Sequence, residues 1–116
     1  MSYADILFGR LAGNNKALNR QVTVESSGVV NLDVKRGNHY CIQGTVTELN
    51  VTSVEHSLNV ESEITFTADP QQCAVSLPAE IGTIPEEPFF EAGSSYIINF
   101  RGGIAVIAAY TPGASE

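Results

Sequence analysis

The stretch Glu91–Tyr110, EAGSSYIINFRGGIAVIAAY, decides the fold. Two apolar runs flank Gly102-Gly103. A two-residue loop between strands needs positive φ at one or both positions, which glycine adopts without steric cost. Tyr96–Arg101 and Ile104–Tyr110 therefore read as an antiparallel hairpin. Tyr96, Ile98 and Phe100 fall on one face of the first run, Ile97, Asn99 and Arg101 on the other. If Arg101 pairs with Ile104, the return strand adds Ala105, Ile107 and Ala109 to the Tyr96 face. The opposite face carries Ile97, Ile104, Val106 and Ala108. Both faces are largely apolar, unlike a sheet with one wet side. The hairpin lies in the middle of a core, or another subunit covers its second face.

Upstream of the hairpin the pattern is β from Gln21 onward. Val22 and Val24 alternate, then Val30, Leu32 and Val34, with Ser26-Ser27-Gly28 as a turn between them. Lys35-Arg36-Gly37-Asn38 turns into Tyr40–Gln43. Leu49 and Val51 share a face, with Ser53 a candidate third member, and Glu55-His56-Ser57 breaks that strand. Ile64, Phe66 and Ala68 share a face; Asp69-Pro70-Gln71-Gln72 is a turn; Cys73, Val75 and Leu77 alternate. Pro78–Pro88 holds three of the five prolines and reads as a strand-free crossover. No repeat stands out. About eight short strands with regular turn signals predict an all-β domain, an antiparallel β-sandwich or jelly roll, over residues 21–116.

Residues 1–20 read differently, as an arm that is a short helix or extended. Ser2 caps with Asp5 three residues on, and Tyr3, Ile6, Leu7 and Leu11 then share a face. Three turns of helix are marginal in water unless that face is buried. The segment packs on its own domain or orders on a partner. It carries Arg10, Lys16 and Arg20 against Asp5 alone. The rest of the chain sets Lys35, Arg36 and Arg101 against all the other carboxylates.

The chain has 116 residues, 43% of them hydrophobic and 16% charged, and a net charge of −7. That length fits one arm-bearing domain able to bury a core without staples. An acidic body repels phosphates, which argues against nucleic acid as a partner. No apolar run approaches the 18 or so residues of a membrane span. The opening residues lack the basic region and long apolar core of a signal peptide, so Cys41 and Cys73 read as free thiols made in a cytoplasm.

Chemistry is sparse. His39 and Cys41 lie two apart on one strand, and only His56 and Cys73 remain to complete a zinc site, at spacings that match no zinc pattern. A Cys41 nucleophile with a histidine base lacks an orienting group and an oxyanion hole. Glu86 and Glu87 neighbour each other on a Pro-rich loop rather than facing across a cleft. Glu61 and Glu63 read as the wet side of a strand start. The expectation is no enzyme, no metal and no cofactor.

Three pieces, YCIQGTVTELNVTS (40–53), EITFTADPQQCAVSLPAEI (63–81) and FFEAGSSYIINFRGGIAVIAAY (89–110), resemble a family. Their order is similar to a small β domain in virion proteins of tailed bacteriophages, especially gut phages including the crAss-like group. There, a short strand ending in Gly leads to a polar-alternating strand, then a Phe-bearing strand, a strand ending in Leu-Pro, a loop, and a closing Gly-x-x-Tyr hairpin. Asp5-Ile6-Leu7 to Leu11-Ala12-Gly13 also looks like the opening of such proteins. The family often carries a Trp in the loop after Leu-Pro; this chain has none, and Ile84 or Phe89 takes that space. The resemblance implies a virion structural subunit made in the bacterial host cytoplasm. Head fibre, capsid decoration subunit and tail-fibre module all fit. It also implies a trimer.

On that reading Ile97, Ile104 and Val106 form the contact between copies. Tyr3, Ile6, Leu7, Arg10 and Leu11 anchor the chain to a capsid or other virion protein. The alternative is a tail-fibre or baseplate-associated module that binds a receptor or glycan. Its surface loop would hold Ile84, Glu86, Glu87 and Phe89, although four Tyr, five Phe and no Trp leave few rings for sugar stacking.

Overall fold

The computed structural model describes residues 20–112. Residues 1–19 of the expected arm, with its anchoring residues Tyr3, Ile6, Leu7, Arg10 and Leu11, lie outside that range, whereas Arg20 already belongs to the first strand, paired with Asn38. Among the described residues there are nine strands and no helix: β1 (Arg20–Glu25), β2 (Val29–Val34), β3 (Asn38–Val46), β4 (Glu48–Val54), β5 (Ser62–Ala68), β6 (Ala74–Ser76), β7 (Gly82–Ile84), β8 (Ser95–Arg101) and β9 (Ile104–Tyr110). They form a six-stranded sheet, β1-β3-β5-β8-β9-β7, and a three-stranded sheet, β2-β4-β6. The fold is all-β, as expected.

The pairing departs from the antiparallel expectation. β1–β3, β2–β4, β3–β5, β4–β6 and β7–β9 are parallel. Among the described residues only β5–β8 and β8–β9 are antiparallel. The chain alternates between the sheets from β1 to β6, so three strand–turn–strand coils stack one on another, as in a β-solenoid. The turns explain this. Ser26-Ser27-Gly28 does not fold the chain back beside β1; it turns a corner from one sheet to the other. Gly28 takes φ 103° there, and its carbonyl accepts from Thr47 N (2.8 Å) and Glu48 N (3.2 Å) on the next coil. Ser26 N donates to Gln43 O, and the Ser26 hydroxyl to Thr45 O at 2.6 Å. The corner is thus bonded to the corner stacked on it, which fixes the strands parallel.

The opposite corner is held by side chains. Tyr40, 5% exposed, accepts at its hydroxyl from Lys35 N (2.8 Å) and Asn38 Nδ2 (3.1 Å) and donates to Asp33 O (3.2 Å). Buried Ser62 accepts from Gly37 N and donates to Lys35 O, each at 3.1 Å. These hydroxyls satisfy backbone groups that a sheet ladder does not reach.

One core lies between the sheets. Val30, Leu32, Val34, Leu49 and Val51 from the smaller sheet join Tyr40, Ile42, Ile64, Phe66, Ile98, Phe100 and Ala105 from the larger. Alternation is the cause: β2 reads exposed–buried in strict succession and β5 buries every second residue. Ser53 departs from the expected face. An irregularity between Leu32 and Asp33 leaves Thr52 unpaired opposite β2, so Ser53 turns outward to Asp33 and Val54 packs inward. The strand-free crossover also needs correction: β7 forms within it, parallel to Ile104–Val106.

Candidate functional site: the outer face of the terminal hairpin

The hairpin register is the expected one, with Arg101 opposite Ile104, Phe100 opposite Ala105 and Tyr96 opposite Ala109. Gly102 has φ 61°, while Gly103 keeps an ordinary negative or extended backbone. Of the two coverings expected for this hairpin, the core takes one face only. Ile98, Phe100 and Ala105 are buried, whereas Ile104 is 47% and Val106 42% exposed. Ile97 is half-buried on the same outer side. β7 extends this side with Ile84, 55% exposed and opposite Val106. Ala108 and Tyr110 continue it along β9, both exposed. The result is an uncharged stripe along β9. Ile97, Ile104, Val106 and Ala108 lie on the face expected of them, and the same alternation adds Tyr110. Burial, followed by the nearby Cys41 thiol, pushes the Tyr110 phenol above its ordinary range.

Across the same face, toward β1, the surface becomes polar. Gln21, His39, Glu63, Asn99 and Val106 follow one another across β1, β3, β5, β8 and β9. His39 Nε2 is 3.7 Å from Glu63 Oε2, and Asn99 Nδ2 donates to Glu63 Oε1 at 3.1 Å. Cys41 Sγ lies 3.8 Å from His39 Nε2 and accepts from Gln21 Nε2 at 3.5 Å. Glu63 is therefore not the simple wet surface expected of it; it sits largely covered beside His39. The geometry still differs from a nucleophile–base–acid line. Thiol and carboxylate approach the same ring nitrogen, whereas a relay uses one nitrogen for each.

Cys73 packs partly buried against the core, and burial, then Asp69, push its thiol pKa up. His56 is exposed. Among the described residues no three His, Cys, Asp or Glu side chains are placed to hold a metal ion.

The loop after β7 holds the other expected residues. Glu86 and Glu87 are exposed, and Phe89 is 80% exposed. Thr83 Oγ1 donates to Glu86 O at 3.1 Å on one side of the loop. On the other, Phe90 packs into a ring cluster, 5.9 Å from Phe66 and 5.0 Å edge-on from Tyr96. Of the Phe89-Phe90 pair, one ring thus anchors the loop and its neighbour projects from it. A shallow open depression of 370 Å³ lies between the start of β8 and the end of β9, beside Ser95 and Tyr110; its lining carries no acid–base pair.

No helix among the described residues is long and apolar enough to cross a membrane. No family model, curated protein or solved structure matches the chain.

Proposed function

We propose that the chain is a structural subunit of a tailed-bacteriophage virion, a head fibre or decoration subunit on the capsid exterior. It assembles as a homotrimer and docks through residues 1–20. The observation that carries this reading is the uncharged stripe along β9. Ile104 and Val106 are about half exposed on a regular, well-paired sheet. Burying such a side chain contributes roughly 1.5–3 kcal/mol, so a stripe of them favours assembly. The likeness of residues 40–110 to phage virion domains supplies the phage context, and the basic segment before an acidic body suits docking. We read the body as a two-sheet sandwich built from stacked coils, and we assign it no catalytic role, cofactor or nucleic-acid partner.

The test is mass spectrometry of purified particles from a host strain producing a phage that encodes this chain. The chain is expected in stoichiometric amounts in gradient-purified particles, and in a cryo-microscopy map on the capsid exterior. Its absence from intact particles overturns the reading.

One observation favours a second reading, a receptor- or glycan-binding module at the tail. Phe89 projects from a loop pinned at both ends, beside Ile84, Glu86 and Glu87, and a preformed loop binds at low entropic cost. Adsorption to host cells that Phe89→Ala abolishes, with the fold intact, selects this reading over decoration.

A further inference from the structure

We infer that β9 lies along the symmetry axis of the homo-oligomer, with Arg101 of each copy facing Glu86 and Glu87 of the next. This rests on the homo-oligomer reading above and adds the orientation of the copies. Three observations carry it.

The first is the shape of the apolar surface. Ile104, Val106, Ala108 and Tyr110 succeed one another at every second position of a single strand, flanked by Ile84 and Ile97. Toward β5 and β3 the same face turns polar at Asn99, Glu63 and His39. A patch one to three strands wide and a whole strand long fits an axis running with the strands. Two broad sheets packed face to face would instead bury apolar residues across their width.

The second is charge. The stripe itself is neutral on a chain of net charge −7, so copies meet there without like-charge contact. Its flanks differ: among the described residues the β8 side carries a cation, and the β7 side carries acids alone. On the β8 side stands Arg101, opposite Ile104 and 64% exposed at its side chain, with Glu61 at 3.9 Å and its Nε donating to Leu58 O at 3.3 Å. On the β7 side the turn beyond Ile84 carries Glu86 and Glu87, both exposed. Rotation about an axis along the strands brings one flank of each copy against the opposite flank of its neighbour, so Arg101 meets the glutamates. Rotation about an in-plane axis across the strands brings each flank against itself, acid on acid. The charges select the first arrangement.

The third is the sheet edge. β7 pairs with β9 only at Ile104–Val106, so Ile107–Tyr110 have no strand neighbour on that side among the described residues. Edges of that kind are sites where another chain adds or covers.

The experiment uses the full chain and light scattering at micromolar concentration, with circular dichroism alongside. The wild type is expected at a multiple of the 12.4 kDa chain mass. Val106→Asp is expected at the single-chain mass with an unchanged β spectrum. Arg101→Glu should weaken assembly at least tenfold, and adding Glu86→Lys and Glu87→Lys to it should restore assembly. Independently, Ala108→Cys in a Cys41→Ser, Cys73→Ser background should form a disulfide-linked pair of chains on oxidation, because the axis brings the Ala108 positions of neighbours together. If the wild type scatters as a single chain, the homo-oligomer reading falls and this inference with it. If the wild type assembles but Val106→Asp assembles equally well and Ala108→Cys does not cross-link, the reading stands and the placement of β9 is wrong. Should Val106→Asp unfold, the cross-link and the charge exchange decide.

Discussion

The Tyr40 hydroxyl holds the corner between β2 and β3 by serving two donors and one acceptor at once. Tyr40→Phe keeps the ring in the core and removes only those bonds. Lys35 N and Asp33 O are then left without this partner, a loss of about 1–3 kcal/mol for a partly buried site. Urea unfolding should show the midpoint lowered with an unchanged slope; an unaltered midpoint shows that water replaces the hydroxyl. Nearby, Asp33 accepts from the Ser53 hydroxyl and sits 3.1 Å from Lys35 Nζ. These partners, Ser53 first, hold its carboxyl below the usual carboxylate range, and Asp33 in turn raises the Lys35 ammonium. A carboxyl whose folded pKa is lowered stabilises above its unfolded pKa, about 3.9, and that contribution is lost as pH falls through the lower folded value. Lys35 works in mirror image: its contribution is present below about pH 10.4 and lost as pH rises through the higher folded value. Both groups are exposed, so the effect is small. Asp33→Asn should flatten the acid limb of a thermal-midpoint profile and leave neutral pH nearly unchanged; a steeper acid limb contradicts the assignment.

At the scale of elements, the strands differ in how many neighbours hold them. β5 and β8 have a strand on both sides, while β6 and β7 are three residues long at sheet edges. Local opening is cheapest where few bonds and little apolar contact must be broken. In the dilute single-chain state, amides of Ile64, Phe66, Ile98 and Phe100 should exchange slowest, and those of Thr83 and Val75 orders of magnitude faster. Uniform protection across β5 and β7 contradicts this. The same difference explains which elements were legible. The hairpin was, down to its register, because two apolar runs and a Gly-Gly loop are local signals. Inward residues such as Leu32, Ile64 and Phe66 were, because alternation alone selects them. Parallel stacking was not. Ser-Ser-Gly at 26–28 is composed like a hairpin turn, and what makes it a corner is bonding to Thr45, Thr47 and Glu48, some twenty residues on. The repeated strand–turn–strand unit has no shared residues to betray it, only shared geometry. β7 was hidden because prolines crowd its flanks, and its pairing with β9 is non-local. The outer face was half legible. Parity places Ile97, Ile104 and Val106 there, but nothing local joins Glu63 to His39 and Asn99, which meet only through the order β3-β5-β8.

For the whole molecule, the question is what residues 1–20 do for a body that forms its own core. Among the described residues, the buried members of that core lie between Val30 and Ala105, with Val22, Val24 and Ile107 packed against them, and bonds between described residues close the corners. A chain beginning at Gln21 loses the Arg20 N bond to Gly37 O and little else that the described structure contains. It is therefore expected to fold, and to keep its oligomeric state, since the stripe on β9 lies at the far side of the sheet from β1. The lost segment brings Tyr3, Ile6, Leu7 and Leu11 together with Arg10, Lys16 and Arg20, a basic, apolar sequence on an acidic protein. Ordering it on a partner costs about 1–2 kcal/mol per residue in backbone entropy. Exposed ion pairs contribute at most about 1 kcal/mol each, so apolar contact must supply most of the offset. The truncated chain should thus fail to bind particles that lack the native protein. Tyr3→Ala with Leu7→Ala in the full chain should weaken binding more than Arg10→Ala with Lys16→Ala. Unchanged decoration by the truncated chain removes the segment from docking. Failure of that chain to fold assigns the segment to the body instead, and a larger effect of the charge pair than of the apolar pair makes docking electrostatic and strongly salt-dependent.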